Sequence, residues 1–190
     1  MAKSKQSLEQ SNAGRCAGPK ASRPQMPKDY GIAGPNKGKG LLPWGYVCER
    51  MEAARNYWVC TTRPDGRPHV MPVWGVWVDD GFYFGTDRGS RKARNIASNS
   101  VMAVHLESGD DVVIVEGFVE AVTDKSVLAQ VDKGYLKKYQ MGLSGHPGNT
   151  MIYGLRPRVA FAWSENDFNQ SATRWAFDDG QAQADLTQSR

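Results

Sequence analysis

The sequence predicts a mainly β protein, an antiparallel barrel or sandwich carrying a few helices. Two observations carry that reading. Short runs rich in Val, Tyr, Trp and Phe recur between residues 57 and 178, separated by tight turn signals rather than long crossovers. Nothing repeats at a fixed period, which excludes a solenoid or a propeller.

The elements follow in order. Pro43 suits the first position of a helix, and Trp44, Val47, Cys48, Met51 and Ala54 then form one apolar face, with Glu49, Arg50, Glu52 and Arg55 off it. YWVCTT (57–62) is a strand, and Arg63-Pro64-Asp65-Gly66 is a strong turn. RPHVMPVWGVWV (67–78) reads as one long strand, which Asp79-Asp80-Gly81 turns into FYFGT (82–86). TDRGSRKARN (86–95) opens a helix expected to bury Ala93, Ile96 and Ala97. VMAVHLE (101–107) passes through Ser108-Gly109-Asp110-Asp111 into VVIVEGFVEAVT (112–123). Residues 125–141 predict a further helix with Leu128, Val131, Tyr135 and Tyr139 on one side. A loop, GLSGHPGN, precedes the last two strands, RVAFAWS (158–164) and TRWAFD (173–178).

Pro68 and Pro72 fall inside a strand, four residues apart and on the same side of its alternation. Proline cannot donate to a ladder, so it is confined to edges and bulges. This stretch is therefore expected to leave backbone groups free to face something other than a strand.

The 190 residues suit one domain with tails: a flexible basic segment over 1–40, a body over 41–180 and a short tail over 181–190. Residues 1–40 hold eight Lys/Arg against two Asp/Glu, and the rest hold sixteen against eighteen. The excess positive charge thus belongs to the tail, and a slightly acidic body argues against nucleic-acid binding as the main function. No apolar run approaches the ~20 residues needed to cross a bilayer, and no apolar core follows the N-terminal cations. A cytoplasmic protein is the expectation. Cys16, Cys48 and Cys60 are odd in number and widely spaced, so neither a disulfide framework nor a metal site is expected.

The chemistry concentrates in TDRGSRKARN. A helix N-terminus exposes unpaired N–H groups and a partial positive charge, and so attracts phosphate. Gly89 permits close approach, Thr86 and Ser90 offer hydroxyls, and Arg88, Arg91, Lys92 and Arg94 supply charge. Cations at that end of a helix oppose its dipole. Two readings follow: a bound anion resolves the conflict, or the cations form a solvated basic face. The P-loop and dinucleotide glycine motifs are absent.

The run YWVCTTRPDGRPHVMPVWGVWVDDGFYFGTDRGSRKARN, with VVIVEGFVEAVTD and ATRWAFD, resembles the pyridoxamine 5′-phosphate oxidase-like split β-barrel proteins. Within them it is most similar to the flavin/deazaflavin-dependent oxidoreductases, over residues 42–178, with GRPHVMPVW and SRKARN the most specific parts. The resemblance implies an FMN-binding split β-barrel of six to seven strands. It further implies a homodimer with cofactors in clefts at the subunit interface and a small-molecule substrate. On it, His69, Val70, Met71, Pro72 and Val73 run along the tricyclic ring. Thr86, Ser90, Arg91 and Lys92 contact the phosphate, with Gly85 just before them. The cofactor implied is FMN or coenzyme F-420, and the activity hydride transfer; the alternative within the fold is a non-catalytic binder of flavin, haem or another tetrapyrrole. Arg174-Trp175 stands where true vitamin B6 oxidases carry an Arg…His arrangement, which argues against that substrate. No catalytic side chain is assigned. His69 and His105 read as structural strand residues or as proton donors, and His146 as a loop residue on the substrate side.

Overall fold

The computed structural model describes residues 19–32 and 40–177; Cys16 and the 181–190 tail lie outside the described residues, as does most of the 1–40 segment. Nine strands run β1 (Lys20–Ser22), β2 (Tyr57–Thr62), β3 (Pro68–Val73), β4 (Gly75–Val78), β5 (Gly81–Asp87), β6 (Val101–His105), β7 (Asp111–Ala121), β8 (Thr150–Ser164) and β9 (Thr173–Ala176). Four helices accompany them: α1 (Trp44–Ala53), α2 (Arg91–Ser98), α3 (Lys125–Tyr139) and α4 (Phe168–Ser171). Every strand pair is antiparallel, in the order β1-β9-β8-β7-β6-β2-β3, with β5 on the first half of β8 and β4 on β5. This is a split β-barrel.

The turns behave as their residues demand. Gly66 takes φ +82° and its N–H donates to the Arg63 carbonyl, while Asp79 and Asp80 both sit at positive φ between the paired Val78 and Gly81. Two consecutive left-handed residues make the mirror-image turn that matches strand twist. Two buried clusters follow from the alternation. The larger joins Met51, Tyr57, Val59, Phe82, Phe84, Met102, Val104, Val115, Leu155 and Trp175; the smaller packs Val131 and Tyr135 of α3 on Val76 and Ile152.

Five expectations are revised. Residues 67–78 are not one strand but two, β3 and β4, broken at Trp74, because the chain leaves β2 there and joins β5. Gly75 marks the switch: a Cβ on it would lie 2.4 Å from the Phe82 ring. The strand expected at 158–164 begins at Thr150, and its first half was hidden by Gly154, Arg156 and Pro157. Those residues sit beside a bulge in the β7–β8 pairing at Glu116/Gly117, where a Cβ on Gly117 would come 1.9 Å from the Arg156 carbonyl. On α2, Asn95 is buried and Ala97 is exposed, the reverse of the expected pattern. Within the segment expected to be flexible or an arm laid over the body, residues 20–22 form β1, which pairs with β9 and, together with the split of 67–78, brings the count from seven strands to nine. Pro43 caps α1 rather than starting it.

Candidate anion cradle and ligand-facing edge

The hairpin β2–β3 forms one wall of the candidate site. The Arg63 N–H donates to the Arg67 carbonyl at 2.9 Å, which makes that pair hydrogen-bonded. Pairs alternate in an antiparallel ladder. Counting along the register, Thr61–His69 and Val59–Met71 are hydrogen-bonded pairs, whereas Pro68, Val70 and Pro72 fall on non-bonded ones. Their backbone groups therefore point away from β2. No strand lies beyond β3 among the described residues, so this edge presents three carbonyls and a single N–H, that of Val70. The prolines cost the ladder nothing here, and they leave one donor in a row of acceptors.

The side chains of β3 alternate accordingly. Val70 and Pro72 stand on the outer face beside Cys60 and Trp58, with Val70 45% exposed. His69, Met71 and Val73 point to the other side, where Val73 packs on the core and His69 meets Thr61. That inner side is where α2 arrives, packed on β2 and β5.

The start of α2 forms the second wall. Ser90 is its N-cap, with the hydroxyl accepting from the Ala93 N–H at 3.2 Å. The Thr86 hydroxyl donates to the same oxygen at 3.1 Å. Ser90 Oγ thus accepts twice and keeps its own proton to donate. Asp87, just before the helix, accepts from the Gly89 N–H and the Asn149 amide and makes no ion pair with the α2 cations. Arg94 folds back onto the Gly89 carbonyl. Asn95, buried one turn on, donates to Thr61 Oγ1 at 2.9 Å, and Thr61 Oγ1 sits 3.4 Å from His69 Nδ1. The Asn95 carbonyl oxygen is buried without a partner.

This chain of contacts, Asn95–Thr61–His69, brings the two walls together. Burial pushes the His69 imidazole below its ordinary pKa, and the charges of Arg63, Lys92 and Arg91 push it the same way. The charges of Arg63 in the hairpin turn and of Arg91 and Lys92 at the start of α2 thus act on the same ring. Burial also lowers the pKa of Lys92. Among the described residues none of the three has a carboxylate within ion-pair distance, and Arg63 Nε is buried without a partner. Cations that make no ion pair at a helix N-terminus form a candidate anion site.

Of the ten residues expected in the site, His69, Thr86, Ser90, Arg91 and Lys92 come together in this cradle. Val70, Pro72 and Met71 lie along the edge strand beside it, and Val73 turns into the core. Gly85 does not join them: it lies on the opposite side of β5 from Thr86, its N–H bonded to the Tyr135 hydroxyl and its Cα under His146. Arg63, Thr61 and Asn95 were missed. Asn95 stood in the quoted motif, and its place one helical turn after Arg91 and Lys92 was the available signal. Thr61 and Arg63 carried none.

The chain is thus a split β-barrel with a cationic helix start beside a free, proline-marked strand edge. The sequence profile of the pyridoxamine 5′-phosphate oxidase family matches residues 48–164, and the chain belongs to that family. No protein of curated function matches it. Among solved structures it is similar to a conserved hypothetical protein from Mycobacterium tuberculosis (20% identity, 68% of this chain and 89% of that one, TM-score 0.57). It is also similar to an F-420 reductase (26% identity, 63% and 98%, TM-score 0.51) and to a haem storage protein from Vibrio cholerae (19% identity, 58% and 86%, TM-score 0.51).

Proposed function

We propose that this protein is an oxidoreductase that binds FMN or coenzyme F-420, phosphate in the cradle and ring along β3, and passes hydride to or from a small organic substrate. The observation that supports this reading is the Ser90-capped start of α2, which carries Arg91 and Lys92 with no ion-paired carboxylate among the described residues and is linked through Asn95 and Thr61 to His69 of β3. A phosphate there gains the α2 N–H groups, the Ser90 hydroxyl and both charges together. The bound ring supplies the hydride chemistry itself.

The residues of the chain hold and orient. The Val70 N–H is the one donor on the β3 edge, and it is flanked by carbonyls of Pro68, Val70 and Pro72. That pattern matches a tricyclic ring whose margin alternates acceptors with N–H. In the ligand-free protein, burial and the neighbouring cations favour the neutral form of the His69 imidazole.

The outer face supports the homodimer. Alternation places Pro72, Trp58, His105 and Ile114 in one row, and Val70, Cys60 and Ala103 in the next. Val70, Val101 and Phe118 are 45%, 52% and 45% exposed. A second copy covering this apolar face would close the ring edge into a cleft.

Titration of the purified protein with FMN and with coenzyme F-420, followed by fluorescence, tests the reading. Micromolar binding of one of them is expected, with a dimer in solution. Binding of neither overturns it, and a Soret band in protein purified from its native host assigns it instead to the haem binders.

A further inference from the structure

The split at Trp74 needs explaining, because a chain that leaves one sheet for another strands its own backbone groups. Between β3 and β4 the Trp74 carbonyl and both groups of Gly75 lose the β2 ladder. All three are met by side chains of α3. The Tyr139 hydroxyl accepts from the Gly75 N–H at 2.9 Å and lies 2.8 Å from the Gly75 carbonyl and 2.6 Å from that of Arg55. The Tyr135 hydroxyl donates to the Trp74 carbonyl at 3.1 Å. It also accepts from the Gly85 N–H at 3.2 Å.

These two tyrosines sit one turn apart on the same helix face, yet their reach differs. The Tyr139 hydroxyl reaches the split and the loop before β2, while its ring stacks on Trp74. Tyr135 touches both strands that carry the site: Trp74 directly follows the ring-facing run His69–Val73, and Gly85 directly precedes Thr86 of the cradle. β3 itself shares no ladder with β5, and Tyr135 bridges Trp74 and Gly85 just beyond the last β4–β5 pair, Gly75↔Phe84. Tyr135 is itself fully buried, and the His146 ring packs edge-on against it at 5.2 Å while covering Gly85. Its hydroxyl therefore has one geometry and two fixed partners.

We infer that Tyr135 is a positioning residue, whose single hydroxyl sets the spacing between the ring-facing strand and the phosphate cradle. The consequence for ligand binding rests on the function proposed above; the consequence for the backbone does not. A ligand that must reach both walls at once is sensitive to their separation, and small displacements are costly where geometry does the binding.

Tyr135→Phe and Tyr139→Phe form the test, since each removes one hydroxyl and keeps the ring that packs the core. In the ligand-free protein, backbone amide NMR shifts in Tyr135→Phe should move both at His69–Val73 and at Gly85–Lys92, and the Gly85 amide should exchange faster. In Tyr139→Phe the changes should stay near Arg55 and Gly75. Both variants should lower Tm to a similar extent. If wild-type protein binds FMN or coenzyme F-420, affinity should fall about tenfold in Tyr135→Phe and less than about threefold in Tyr139→Phe. Shifts in Tyr135→Phe that reach only one wall, or equal affinity losses in the two variants, overturn the inference. Failure of wild-type protein to bind either compound overturns the proposed function instead, and the ligand-free spectra still decide the role of Tyr135.

Discussion

Helices α2 and α3 lie on the same sheet and obey opposite electrostatic rules. At the start of α3, Asp124 caps the helix, accepting the Ser126 and Val127 N–H groups, and Lys137 and Lys138 stand in the last turn. A carboxylate at the start and cations at the end both suit the dipole. Helix α2 has a neutral cap, Ser90, and carries Arg91, Lys92 and Arg94 where anions belong, with no cation in its last turn. Its eight residues are too few to be stable alone. The difference teaches that α3 is complete as built, whereas α2 tolerates an unfavourable start. Such a local conflict is expected where a function requires it.

The strongest way to break the comparison is to remove the misplaced cations. Arg91→Ala with Lys92→Ala should weaken FMN or coenzyme F-420 by about 100-fold or more, two charge-assisted contacts being lost. The same change should leave the ligand-free protein as stable as before or slightly more so, by a few tenths of a kcal/mol, because it relieves repulsion with the helix dipole. Parallel ligand titrations and thermal melts check both signs; a large drop in Tm without ligand would show that α2 needs its cations for folding.

A smaller contrast separates the two caps. Asp124→Ala should cost about 1 kcal/mol of stability with no change in ligand affinity, whereas Ser90→Ala should cost about as much and weaken binding severalfold. Denaturant midpoints read alongside affinities distinguish them. If Asp124→Ala weakens binding equally, the division into a structural and a ligand-holding helix is wrong.

The smallest effect concerns His69. Its folded pKa lies below the ordinary histidine value through burial and the neighbouring cations, so the unfolded chain binds more protons between the two values. This group therefore makes stability fall as pH drops through that window. A bound phosphate would offset the cations and raise the His69 pKa. Imidazole NMR titration with and without ligand should show that upward shift, and its absence would place the anion elsewhere.

Much of this was legible in the chain. Strands with one buried face announce themselves by alternation, and β2, β5, β6 and β7 were expected close to where they lie. Glycine and proline marked the turns because few other residues tolerate those backbone angles. The edge position of β3 followed from Pro68 and Pro72 before any partner was known. Other elements were hidden for equally physical reasons. The first half of β8 carries Gly154, Arg156 and Pro157 because it bends around a bulge. The break at Trp74 was marked only by Gly75, a signal that also fits a bulge within one strand, since both flanking segments are good strands.

The sequence by itself thus determined the fold class, the free edge and the cationic helix start, because each rests on local chemistry: alternation, a missing N–H, charge set against a dipole. Only the tertiary structure decided that Thr61 and His69 are linked to that helix through Asn95, that Gly85 turns from it, and that Tyr135 spans both walls. Those facts depend on which face of each strand meets which helix across dozens of intervening residues, and no local pattern encodes that choice.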